Sequence, residues 1–162
     1  MEDRDFLGYF TLLGSQKLAN VKQASSNIVD TLLTLESKVG RRASMDSEQM
    51  KVEEKLKKKF STGDLGDKMS ADLNYTLKRL VRGLCSDNHS VKQGFFLASV
   101  LTLNRFKDQI DLDKFMKFIK EETKLNSSLK NPEIHALMMG RMMCVSAIIE
   151  SGWTATISAK QL

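Results

Sequence analysis

Proline occurs once in 162 residues, histidine and cysteine twice each, and tryptophan once. A single proline leaves long segments free to run as helices, and no alternating apolar and polar run bounded by turn residues reads as a β-hairpin. The two cysteines, Cys85 and Cys144, stand far apart and outside any CxxC or His-containing spacing. That excludes a zinc module and a disulfide-stapled scaffold, and points to two small buried hydrophobes in a reducing compartment. His89 and His135 have no neighbour suited to a nucleophile or general base and read as surface or helix-end residues. No glycine-rich phosphate loop is present. The N-terminus lacks a charged-then-apolar signal pattern, and the apolar runs are too short, or interrupted by Arg141, to span a bilayer. A soluble intracellular protein is expected, with no membrane partner, no small-molecule substrate, no cofactor and no metal.

What is abundant is helical spacing and positive charge. The length suits one domain with a sizeable core, and the fold class expected is all-α. Twenty-five Lys and Arg against 20 Asp and Glu give a net charge of +5 and a pI near 9.2. This balance favours acidic partners such as nucleic acid without identifying one.

The most structured stretch is Tyr75 to Leu103. Leu77, Leu80, Val81 and Leu84 fall at i, i+3, i+4 and i+7, a single apolar stripe, with Lys78, Arg79 and Arg82 on the other side. Asp87 to Ser90 breaks the pattern, and Ser90 with Gln93 can form a capping box for a second helix. From Gly94 to Leu103 that helix is almost wholly apolar and is expected to be buried.

Upstream, residues 5–13 read as a short helix with Phe6, Phe10 and Leu13 on one edge, closed by Gly14. Ser15 can cap a long helix carrying Leu18, Val21, Ser25, Ile28, Leu32, Leu35 and Val39 at heptad-like spacing, ended by Gly40. Ala24, Val29 and Leu33 widen this stripe, so a helix packed between neighbours fits it better than a free coiled coil. Residues 41–72 change character and read as an insertion or linker. Within it, Arg41, Arg42 and Ser44 match a basophilic kinase site, the alternative being an exposed polar linker. Lys55, Lys57, Lys58 and Lys59 form a candidate nuclear import signal or, more blandly, a solvated face. Ser61 to Ser70 reads as a mobile loop.

Downstream, Asp111 is placed to cap a helix reaching about Lys124, with Leu112, Phe115, Met116 and Ile119 buried. Asn131, Pro132 and Glu133 mark the start of the last helix, with Asn131 as its cap. That helix is apolar nearly all round to Ser151, is expected to be central, and ends at Gly152 in a left-handed cap. Ala136, Gly140, Cys144, Ala147 and Ser151 form a strip of small residues allowing close helix approach. Met138, Met139, Met142 and Met143 read as packing around it or as an adaptable partner groove. Arg141 needs a carboxylate or carbonyl partner, or an edge position.

Three blocks, Tyr75–Leu84 (YTLKRLVRGL), Val91–Leu101 (VKQGFFLASVL) and Met139–Gly152 (MGRMMCVSAIIESG), resemble in content and order the N-terminal region of the Myb-binding protein and DNA polymerase phi family. These are nucleolar proteins whose fungal member carries the name DNA polymerase V. Asp5 to Leu35 is similar to that family's first helix pair, more loosely. One departure is Lys92, two residues before the Gly94–Phe95 pair, where the family usually has arginine; lysine keeps the charge but loses bidentate recognition. Family members are many times longer, so the resemblance implies an N-terminal fragment of a larger protein.

The resemblance also implies a HEAT- or armadillo-like array of antiparallel helix pairs, a single helical-repeat domain over residues 1–162. Its implied role is a nucleolar scaffold in ribosomal RNA gene transcription and ribosome biogenesis, with ribosomal DNA, pre-ribosomal RNA, or nucleolar and transcription proteins as partners. Lys78, Arg79, Arg82, Lys92, Arg105 and Lys107, opposed between residues 78 and 107 only by Asp87, are the candidate contacts; the alternative is that they keep an outer face solvated. A polymerase needs carboxylates holding two metal ions about 3.5–4 Å apart, and no paired-aspartate strand motif is present. Catalysis is not expected. A free-standing helical adaptor using the methionine groove is the other reading.

Overall fold

The computed structural model describes residues 3–42, 65–66 and 69–153. Among these the chain forms six helices and no strand: α1 (Asp3–Leu12), α2 (Leu18–Arg42), α3 (Ala71–Leu84), α4 (His89–Phe106), α5 (Leu112–Glu122) and α6 (Asn131–Glu150). The expected all-α class holds. None of these helices is long and apolar enough to cross a membrane.

The α3 stripe is the centre of the core. Leu77, Leu80, Val81 and Leu84 are each 1–2% exposed, and burying a side chain of this size contributes about 1.5–3 kcal/mol. Ser70 caps the helix, its hydroxyl accepting from the Leu73 amide at 3.1 Å. α4 lies between α2 and α6, α3 packs across α4 and α6, α1 rests on α2, and α5 touches α3 and α6. Phe10, Leu13, Ile28, Leu32, Phe95, Leu103, Phe115, Ile119 and Cys144 join one continuous core with the α3 leucines.

Two contacts set the direction of the row formed by α2, α4 and α6. The Leu13 carbonyl, just before α2, lies against Gly94 near the start of α4. At the other end, Asn104 Nδ2 of α4 donates to the Ser151 carbonyl after α6 at 2.9 Å. The three helices therefore run the same way. Ser25, the one polar residue in the α2 stripe, is fully buried and donates to the Val21 carbonyl at 2.8 Å, which satisfies its hydroxyl without breaking the helix.

Several local expectations change. α2 continues through Gly40 to Arg42, because glycine lowers helix propensity by only about 1 kcal/mol and does not by itself stop a helix. Ser15 accepts from the Lys17 amide rather than capping the first turn of α2. α4 starts at His89 with Asn88, not Ser90, as its cap; the Asn88 side chain accepts from the Val91 amide. Asp111 caps α5 as expected, accepting from the Lys114 amide at 3.0 Å. Met116 is 40% exposed, off the buried stripe of Phe115 and Ile119. At α6 the cap position is Lys130, and the Glu133 carboxylate accepts its amide at 2.8 Å, so Asn131 lies one residue inside the helix.

Within the stretch read as a loop, Leu65 is 2% exposed and its carbonyl accepts from the Asp111 amide at 2.9 Å. A turn-like composition concealed a core residue there. Gly152 has φ +82° and closes α6 in the left-handed conformation expected of it. Trp153 follows at 6% exposure.

Candidate nucleic-acid and partner interface

The six candidate cations occupy three different settings. Lys78, Arg79 and Arg82 lie on the outer edge of α3, with Arg82 one turn beyond the adjacent pair Lys78 and Arg79. Each meets a neighbour. The Lys78 ammonium is 5.9 Å from the Phe118 ring centroid on α5. The Arg79 guanidinium sits 4.6 Å from the Phe10 centroid on α1 and donates to the Tyr75 hydroxyl at 2.7 Å. A cation over an aromatic face contributes about 0.5–1 kcal/mol at an exposed site, so Arg79 helps hold α1 against α3.

Arg82 makes a two-pronged pair with Glu122 at the end of α5, Nε to Oε2 at 2.8 Å and Nη2 to Oε1 at 3.0 Å. The hydrogen bond from Arg82 holds the Glu122 carboxyl below the usual glutamate value, against the opposing effect of burial. This pair ties α3 to α5. Its arginine side chain nonetheless remains 63% exposed, so one face of the guanidinium is open to solvent.

Lys92 is 8% exposed on α4, beside the α3–α4 turn. Thirteen residues further along α4, about 20 Å at helical rise, Arg105 is exposed and Lys107 half-buried just after the helix end. The six positions do not converge on one patch. Of these six, the cations on the α3 edge and at the Arg105–Lys107 end are the ones that reach the surface. Ser44, Lys55, Lys57, Lys58 and Lys59 lie outside the described residues.

A further cation, Arg141 on α6, has the carbonyl partner its sequence context demanded. Its Nε donates to Thr123 Oγ1 at 2.8 Å and its Nη2 to the Thr123 carbonyl at 2.7 Å, so the guanidinium closes the C-terminus of α5. Thr123 is 1% exposed and its own hydroxyl donates back to the Ile119 carbonyl.

The small-residue strip of α6 seats as expected: Ala136, Gly140, Cys144, Ala147 and Ser151 are all buried. A methyl on Gly140 would stand 2.5 Å from Cys85 Sγ and 2.9 Å from Cys85 Cα, so only glycine allows α6 to approach the α3–α4 turn this closely. Burial pushes the Cys144 thiol up to about 12 and raises that of half-buried Cys85. Neither is tuned as a nucleophile, which requires a lowered value. Beside Cys85, a cleft of about 430 Å³ runs along Asp87, Leu129, Pro132, Glu133 and Leu137. Glu133 is already engaged with the Lys130 amide.

The methionines divide. Met143 packs against the core, whereas Met138, Met139 and Met142 are 55, 36 and 64% exposed. The helix expected to be central is buried on one face only, because α4 and α3 cover that face and nothing described covers the other. Lys117 and Lys120 of α5, and Lys124 just after it, also reach the surface. Their spacing of three and four is the sequence signal for this row, masked by the stronger apolar stripe of the same helix.

The sequence model of the family described as DNA polymerase phi matches residues 75–161, more than half of the chain and the part that runs from α3 through α6. No curated protein and no solved structure matches the chain.

Proposed function

The chain belongs to the DNA polymerase phi family, and from that premise we propose that it is a non-catalytic helical scaffold of the nucleolus, serving ribosomal RNA gene transcription and ribosome biogenesis. The observation that carries this reading is the family match, which begins at Tyr75 within the basic-edged α3 helix and takes in α4, α5 and α6. The packing supports a HEAT- or armadillo-like plan: α2, α4 and α6 form one row running in one direction, with α1, α3 and α5 beside them. In such arrays each helix pair buries a face only against its neighbours, and the outer surfaces do the binding.

Nucleic acid or a transcription factor with acidic segments would meet the outer cations. Arg105, Lys107 and the open face of Arg82 are the side chains placed to do so; Lys78 and Arg79 approach it with part of their charge committed to aromatic rings. The name of the family notwithstanding, two-metal nucleotidyl transfer requires paired carboxylates, and the scaffold reading assigns none.

Purification of the tagged protein from nuclei, with and without nuclease treatment, tests this. Enrichment of RNA polymerase I subunits or pre-ribosomal particles is expected. Exclusion of the protein from the nucleus, or a nuclear pool carrying neither, would sink the reading.

A further inference from the structure

Four apolar side chains of α6, Met138, Met142, Val145 and Ile149, are 55, 64, 37 and 51% exposed. They are spaced four, three and four, so they make one straight stripe about 16 Å long. It lies opposite the Gly140–Cys144 strip that seats the helix. A helix apolar on both sides belongs between two partners, and a contiguous apolar patch marks an interaction surface.

α5 supplies one border of this stripe. Because Thr123 receives Arg141, the flank of α5 that carries Thr123 faces α6. Met116 and Lys120 precede Thr123 by seven and three residues and share that flank; both are exposed. Lys117 and Lys124 are exposed beside them, three lysines against two exposed acids, Asp113 at the N-terminal end of the row and Glu121 next to Lys120. None of Lys117, Lys120 and Lys124 forms an ion pair with a described residue.

We propose that the α6 stripe, with Met116 and the α5 lysine border, docks an acidic amphipathic helix of a partner protein. Methionine suits this work because its unbranched, polarisable side chain adapts to the ridges of an incoming helix. The lysines select the sign of charge beside the partner's apolar stripe and raise the rate of encounter. The same lysines disfavour a second copy of this chain as occupant: in an antiparallel pairing across a twofold axis, each α5 faces its counterpart and the two lysine borders oppose each other. The inference rests on this surface alone and stands or falls apart from the nucleolar reading.

The test uses the whole 162-residue protein and a fluorescein-labelled helical peptide of about 18 residues, with leucines at the same four-three-four spacing flanked by glutamates. A second peptide carries lysines in place of the glutamates. Saturable binding of the glutamate peptide is expected, about tenfold tighter than the lysine peptide and weakened by salt. Met142→Asp, on an exposed position where helicity by circular dichroism should not change, is expected to weaken it about tenfold, and Lys120→Glu about threefold. Equal affinity for both peptides, or binding indifferent to Met142→Asp and Lys120→Glu, would overturn the proposal. So would a concentration-dependent dimer in sedimentation that Met142→Asp abolishes, since the stripe would then belong to a second copy.

Discussion

Gly94 is where the packing makes its sharpest demand. It is buried in α4, and a methyl group there would land on the carbonyl of Leu13, with the Leu13 Cα 3.1 Å away. Both are backbone atoms of a residue that is itself 0% exposed, so no side-chain rotation can make room. Replacing glycine by alanine inside a helix gains about 1 kcal/mol of propensity, whereas overpacking a core costs about 1–3 kcal/mol. Here the upper part of that range applies, because α4 must move off the α1–α2 turn and loosen Phe10 and Leu13. Gly94→Ala should therefore lose about 1–2 kcal/mol, a fall in Tm of about 2–8 °C for a domain of this size. Gly8 on α1 provides the control: it is exposed and has nothing within 4 Å of its would-be methyl. Gly8→Ala should be neutral or gain up to about 1 kcal/mol. Urea and thermal unfolding followed by circular dichroism would measure both. A Gly94→Ala protein as stable as the parent, or stabilised in step with Gly8→Ala, would refute the close approach of α4 to the α1–α2 turn.

The remaining predictions concern charge, sulfur and access. Glu122 has its carboxyl held down by Arg82 in the folded state, so its contribution is present above the unfolded glutamate value and is lost as pH falls through the lower folded value. Arg82→Met should raise the Glu122 midpoint in a carboxyl NMR titration and cost under about 1 kcal/mol near neutral pH, because the arginine is largely exposed; an unmoved midpoint would count against the pair. Under dilute peroxide, Met138 and Met142 should oxidise well before Met143, which packs against the core; peptide mapping that finds all three oxidised together would show the α6 face to be covered. Cys144, with its thiol near 12, should resist alkylation at pH 8 until the protein unfolds, and Cys85 should react first.

Much of the helical core was legible because its signal is periodic and local. The α3 leucines, the Asp111 cap, the small-residue strip of α6 and the left-handed Gly152 all followed from spacing or from one residue's backbone preference. Features that depend on a distant partner did not. Nothing near Gly94 in sequence announces the Leu13 carbonyl, and nothing near Leu65 announces Asp111. Nor could local reading tell which of two apolar faces of α6 meets a neighbour, so a helix expected to be central proved half open. The basic edge shows the same limit. Three cations at helical spacing were visible, but whether each was free depended on Phe10, Phe118 and Glu122, supplied by α1 and α5.

The family description names a polymerase, and the claim that most needs testing is that this chain works by binding alone. Nucleotide incorporation on a primed template by the purified 162-residue protein, with magnesium or manganese supplied, measures it directly. Incorporation no higher than in protein-free controls is expected under both ions. Template-dependent incorporation that co-elutes with the protein through successive columns would contradict the scaffold reading.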